Sequence, residues 1–207
     1  MMCDMVATLF PTAGIPKHGL GRFLGVFACL AGLLGPACGQ AITLEELEGT
    51  TVEATVVRDQ VILREGRRIP VKFQNQLTIG IGADAKLQIA ITPTSQGPRG
   101  KRQGETRKSA ATVEKVRELK TLGGGHGVWI FSEDGALTFL RTYKGGAFKR
   151  TIAFAHGPEG LTCKVEEVHA RENSRGPIIM DSAIDGGEIQ ILSAKQISSR
   201  CRVLKAH

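Results

Sequence analysis

The run Gly123-Gly124-Gly125-His126-Gly127 holds the most suggestive chemistry in the chain. Consecutive glycines let backbone N–H groups converge on an anion, and a histidine among them titrates near neutrality. Gly124, Gly125 and His126 are therefore a candidate ligand site, and with a nucleophile they would begin a hydrolase site. No G-x-S-x-G elbow occurs in the sequence to supply that nucleophile. A flexible connection into the strand at Trp129 explains the glycines equally well. A second candidate is basic: Arg99, Lys101, Arg102, Arg107 and Lys108 lie within ten positions, interleaved with Gly and Gln. Such a run can hold phosphate groups or an acidic polymer, or it can be a solvated loop.

Other apparent motifs dissolve on their context. Gly80-Ile81-Gly82-Ala83-Asp84-Ala85 fits G-x-G-x-x-A, but Leu87, Ile89 and Ile91 continue it as a strand. The helix that would face a pyrophosphate is missing, so the glycines read as a hairpin turn. His126, His156, His169 and His207 are scattered, and Glu166-x-x-His169 lies in extended sequence. Two metal ligands on one helix face are thus absent, and no metal or cofactor is expected. Asp181 and Asp185 flank Gly186-Gly187 and read as turn residues.

Positioning elements follow from the apolar period. Thr43 and Glu46 form a capping box for one short N-terminal helix, with Ile42 and Leu47 as a hydrophobic staple and Gly49 as its stop. Beyond it the period switches to two. Val52, Ala54 and Val56 alternate, as do Ile69, Val71 and Phe73, then Leu77, Ile79 and Ile81. Pro70 lacks an N–H and places its segment at an edge or a bulge. Asp134-Gly135 turns a hairpin from Val128 to Leu140, and Gly145-Gly146 turns the next. Ile178–Ile184 pairs with Glu188–Leu192, and Cys201 falls just past that pair. Pro93 to Thr106, rich in Gly, Pro and basic residues, reads as a long loop. Between 110 and 122, Val113, Val116, Leu119 and Leu122 recur every third residue; helix and strand both fit, and neighbouring strands favour strand. About ten short strands predict a mainly β chain, a meandering antiparallel β-barrel or a two-sheet β-sandwich. Gly127-Val128-Trp129 resembles the G-x-W of lipocalins, though there the motif sits on the first strand; a shared β-meander is what that implies.

The first segment has the order of a secretory leader. Lys17, His18 and Arg22 precede an uncharged apolar run from Phe23 to Leu34, and small residues follow to Ala41. Gly39 and Ala41 suit cleavage before Ile42, which divides the chain into a signal peptide (1–41, cleaved) and one β-rich domain (42–207). The run is too short for an ordinary spanning helix, and the mature chain holds no transmembrane helix. Cleavage removes Cys3, Cys29 and Cys38, leaving Cys163 and Cys201 as a structural disulfide for an oxidising compartment. It also removes Lys17, Arg22 and Asp4, so the net charge falls from +7 only to +6. That surface suits anionic polymers, while few aromatics argue against a stacking platform for single strands.

The stretch GGGHGVWIFSEDGALTFLRTYKGGAFKRTIAFA from Gly123, with LTC at Leu161–Cys163 and SAKQISSRC near the end, resembles a set of exported proteins of soil and root-nodule alphaproteobacteria. The resemblance implies a periplasmic or extracellular place in a Gram-negative bacterium and carries no activity with it. The expectation is an exported, non-enzymatic binding or interaction module. Alternatives are a hydrolase-type enzyme near His126 and a basic envelope protein whose partner is an anionic polymer or other envelope component.

Overall fold

Strands that alternate apolar and polar side chains present one apolar face, and a long sheet of them rolls up to bury it. In the computed structural model, which describes residues 41–114, 127–173, 176–184 and 187–205, this rolling produces a nearly closed β-barrel. The chain divides into a unit Met1–Ala37 and a unit Cys38–His207; the barrel is the second. The expected leader up to residue 40 lies outside the described residues.

The described strands are β1 (Thr50–Arg64), β2 (Arg67–Ile81), β3 (Lys86–Gly97), β4 (Gly100–Gln103), β5 (Arg107–Glu114), β6 (Val128–Phe131), β7 (Ala136–Tyr143), β8 (Gly146–Gly157), β9 (Gly160–Arg171), β10 (Ile178–Asp181) and β11 (Glu188–Lys205). They follow one another in the order β10-β11-β1-β2-β3-β5-β6-β7-β8-β9, with β4 paired to β3. The sandwich alternative therefore gives way to the barrel. Every ladder is antiparallel except β5–β6, where Val113 faces Trp129 and Glu114 faces Ile130 in parallel. That pair departs from the expected meander, because β5 and β6 run the same way with residues 115–126 between them. The residues between 110 and 114 are strand; the rest of the ambiguous segment, to 122, lies outside the described residues.

Three further expectations need correction. The segment from Pro93 is not a loop, since β3 continues through Gly97 and turns into β4. Its outer part is polar on both faces, so no apolar period betrays it. Cys201 lies within β11, not past it, because β11 leaves β10 after Ile191 and pairs with β1 as far as Lys205. The N-terminal helix is a single 3-10 turn, Glu45–Leu47. Its capping box is present: Thr43 N–H donates to Glu46 Oε2 at 2.7 Å and Glu46 N–H to Thr43 Oγ1 at 3.3 Å. Ile42 and Leu47 are buried in the core, and Gly49 N–H donates to Ile81 O at 2.8 Å. The turn thus plugs one end of the barrel. Pro70 lies two residues beyond the β2–β3 ladder, which starts at Lys72, so its missing donor costs no bond there.

The plugged half is filled by Val52, Val56, Ile79, Leu87, Leu137, Ile152 and Val165, among others. Each fully buried aliphatic side chain contributes roughly 1.5–3 kcal/mol. The outward positions carry Glu53, Gln76, Thr78, Gln88, Lys149 and Glu166, so the outer face is mainly polar, with Val168, Ile197 and Leu204 also exposed. Among the described residues no helix is long and apolar enough to cross a membrane.

A seam remains between β9 and β11, which no backbone ladder joins. Gln196 fills the place of a peptide group there. Its Oε1 accepts from Glu167 N–H at 2.7 Å and its Nε2 donates to Val165 O at 3.1 Å. A bulge makes this possible, because the β1–β11 register slips between Val57 and Arg58 and leaves Ile197 without an opposite residue. Further along the seam Cys163 and Cys201 are bonded, with Cα atoms 5.5 Å apart. At the other end, Ile179 N–H of β10 donates to Lys144 O at 2.9 Å, in the turn between β7 and β8.

Candidate functional site

Above the apolar half, the inward-facing positions change character. Along β1, buried Val52, Ala54 and Val56 give way to Arg58 and Gln60; along β2, Leu77 gives way to Asn75 and Phe73. On β8 the inward series is Phe154, Ile152, Arg150, Phe148, and on β9 it is Val165, Glu167, His169. Register sets these side by side: Phe139 of β7 faces Arg150 of β8, which faces Glu167 of β9. The next inward row is Arg141, Phe148 and His169. Of these rows Phe139, Arg150, Arg141, Phe148 and His169, together with Tyr143 and Ile191, line a cavity of about 350 Å³.

Two arginines of the cavity wall, Arg58 and Arg150, share the buried carboxylate of Glu167 in an Arg–Glu–Arg cluster. Arg150 donates Nε and Nη2 to Glu167 Oε1 at 2.7 and 2.6 Å. Arg58 Nη1 lies 2.8 Å from Oε2, with side-chain exposures of 5% for Arg58 and 0% for Glu167. The guanidinium of Arg58 also stacks near Phe73, 4.9 Å from its centroid, and Phe148, at 5.8 Å. Arg58 Nη1 donates to His169 Nε2 at 3.3 Å. Arginine has no acceptor, so Nε2 must be the unprotonated nitrogen and the imidazole is neutral. Burial first, then Arg58, pushes the His169 pKa down to about 3.

Burial alone would raise the pKa of Glu167, but Arg150 and then Arg58 outweigh it and hold the carboxyl below its ordinary range. Desolvation lowers Arg58, yet a guanidinium starts so high that it stays charged. Arg141 sits 4.8 Å over the Tyr143 ring, whose own pKa burial raises. The Nε atoms of Arg58 and Arg141 are buried without a hydrogen-bond partner.

The residues singled out from the sequence fall mostly elsewhere. Gly124, Gly125 and His126 lie outside the described residues. Gly127, which follows them, has a packing role, since a Cβ there would meet the Phe139 ring at 2.0 Å. Arg99, Lys101, Arg102 and Lys108 are exposed, Lys101 and Arg102 on β4. Arg107 alone of that group reaches the cavity, donating to Ser182 O at 3.0 Å at its rim. Glu166 faces outward while His169 faces inward, so they share no ligand. Asp181 lines the cavity; Asp185 and His207 lie outside the described residues. His156 is exposed, 3.8 Å from Glu46. Among the described residues no group of three His, Cys, Asp or Glu is placed to hold a metal ion.

Arg58, Arg150 and Glu167 were missed in the sequence. Their visible sign is a charge on the inward phase of an otherwise apolar alternating strand, which burial tolerates only with a partner. Compared with known protein families, curated proteins and solved structures, the chain matches none significantly.

Proposed function

We propose that this chain is an exported, non-enzymatic binding protein that takes a small amphipathic molecule into the open half of its barrel. The cavity carries this reading: about 350 Å³, within the range of roughly 300–1,000 Å³ typical of small-molecule sites. Its walls combine the rings of Phe73, Phe139, Phe148 and Tyr143 with a few fixed polar groups, the composition that orients a ligand and excludes water. The filled half below supplies a rigid base.

Export is supported by the leader pattern, by the disulfide and by the resemblance to exported alphaproteobacterial proteins. It puts the barrel in the periplasm or outside a Gram-negative cell. Cleavage before Ile42 suits the fold, because Ala41 is exposed whereas Ile42 is buried in the core. N-terminal sequencing of protein recovered from the envelope checks it; a mature species that keeps residues 1–41 overturns it.

The test of binding is a thermal-shift screen of the mature barrel against small amphipathic molecules, paired with Tyr143→Trp as a reporter on the cavity wall. Molecules that enter should raise the melting temperature saturably and change the emission of the new indole. A library that does neither overturns the reading.

A further inference from the structure

We propose that the molecule taken into the barrel carries an anionic head, a carboxylate or phosphate ester, seated against Arg141 and the unpartnered edge of Arg58. This rests on the reading of the barrel interior as a binding site. Four guanidinium groups line the cavity, Arg58, Arg107, Arg141 and Arg150, against one carboxylate, Asp181; Glu167 is buried behind the lining, against Arg58 and Arg150. Glu167 is committed: both of its oxygens face Arg58 and Arg150. Asp181 is exposed at the rim, on β10. Among the described residues Arg141 has no carboxylate partner, and its buried Nε has no hydrogen-bond acceptor.

A surplus of guanidinium charge in a partly desolvated cavity is costly until an anion enters, and that cost favours anions over neutral or cationic molecules. The planar fork of N–H donors matches two oxygens of a carboxylate or phosphate at once. His169 adds no charge, since it is neutral and accepts from Arg58. It leaves the surplus to the arginines. Phe139, Phe148 and Ile91 offer the apolar wall for the rest of the ligand. A body with one flat apolar part and one anionic head satisfies both halves of the lining.

Four probes that share one ring system separate the possibilities: 2-naphthoate, 2-naphthyl phosphate, 2-naphthamide and 2-naphthylmethylamine, each titrated by calorimetry at low salt. An anion should bind about tenfold or more tightly than the neutral amide, the size expected of hydrogen bonds to a charged group. The amine should bind most weakly. Preference between the naphthoate and the phosphate tells which head the site fits. Arg141→Met, which leaves the Arg58–Glu167–Arg150 cluster intact, should remove most of the anion preference, read as the ratio of anion to amide affinity within that variant. If amide or amine binds as tightly as both anions, or if Arg141→Met leaves the preference unchanged, the anionic head is wrong while interior binding stands. If none of the four binds, interior binding fails as well.

Discussion

Glu167 lies directly opposite Arg150 in the β8–β9 ladder and takes two of its N–H groups on one oxygen, at 2.7 and 2.6 Å. From β1, Arg58 approaches the other oxygen to 2.8 Å. Three strands are thus tied together by charges almost wholly withdrawn from water, and the tie holds only while all three are present. Glu167→Gln leaves two buried guanidiniums without an anion and should destabilise the barrel by roughly 3–5 kcal/mol. Replacing all three with Arg58→Met, Glu167→Leu and Arg150→Met should recover most of that loss. Urea unfolding of both variants checks this, and a single variant that loses less than about 1 kcal/mol would refute it.

Acid should weaken the fold earlier than carboxylates alone would dictate. In the barrel His169 is held down to about 3, whereas the unfolded chain restores it to 6.5. The unfolded state therefore binds the proton first. Stability is independent of His169 above pH 6.5 and falls between 6.5 and 3, by up to about 1.4 kcal/mol per pH unit. Glu167, held below its ordinary 4.5, contributes stability that is complete above that value and lost as pH falls further. Urea midpoints should drop between pH 7.5 and 5.5, and His169→Gln should flatten that drop. A wild-type midpoint unchanged over the interval contradicts the assignment.

At the seam, the disulfide and Gln196 act on different states. Cys163 and Cys201 are 38 residues apart, so in the chain-entropy description their bond disfavours the unfolded state by about 4 kcal/mol. Gln196→Ala instead strips partners from Glu167 N–H and Val165 O in the folded barrel, for about 1–3 kcal/mol. Hydrogen exchange separates the two. Gln196→Ala should speed exchange at the Glu167 amide well beyond the change in global stability, and equal acceleration throughout the barrel would show that the side chain bridges nothing.

Reversal of charge on the β3–β4 hairpin is the control for the cavity. Arg99→Glu, Lys101→Glu and Arg102→Glu combined should change stability by less than about 0.5 kcal/mol, because these positions are exposed. Naphthoate binding should survive that triple variant and weaken with Arg107→Glu, which alters the cavity rim. Loss of naphthoate binding in the triple variant would move the anion site to the hairpin.

Most strands are legible because burial imposes a period of two on each of them, as in Val52, Ala54, Val56. The parallel pairing of Val113 with Trp129 is not legible, since nothing local to either strand states which neighbour it takes. The cavity is hidden for a related reason. β1 supplies Arg58, β8 Arg150 and β9 Glu167 and His169, so the site is compact in space and scattered along the chain. Attention to sequence clusters finds Arg99 to Lys108, where exposure makes charge cheap, and passes over single charges on inward phases. Gly127 shows the converse: a glycine in a suggestive run is required because the ring of Phe139 lies against it.

The ladder between β1 and β11 joins the earliest described strand to the last described one, from Thr50 opposite Lys205 to Leu63 opposite Gln190. A ribosome or a translocon delivers those partners at opposite ends of time. Until the final strand emerges, β1 has an open edge along its whole length, able to pair with a neighbouring chain. Contacts of such long sequence separation make closure slow, and Cys201 reaches Cys163 only as the last strand docks. A polypeptide cut short before β11 should therefore accumulate as aggregates, its first strand still waiting for a partner.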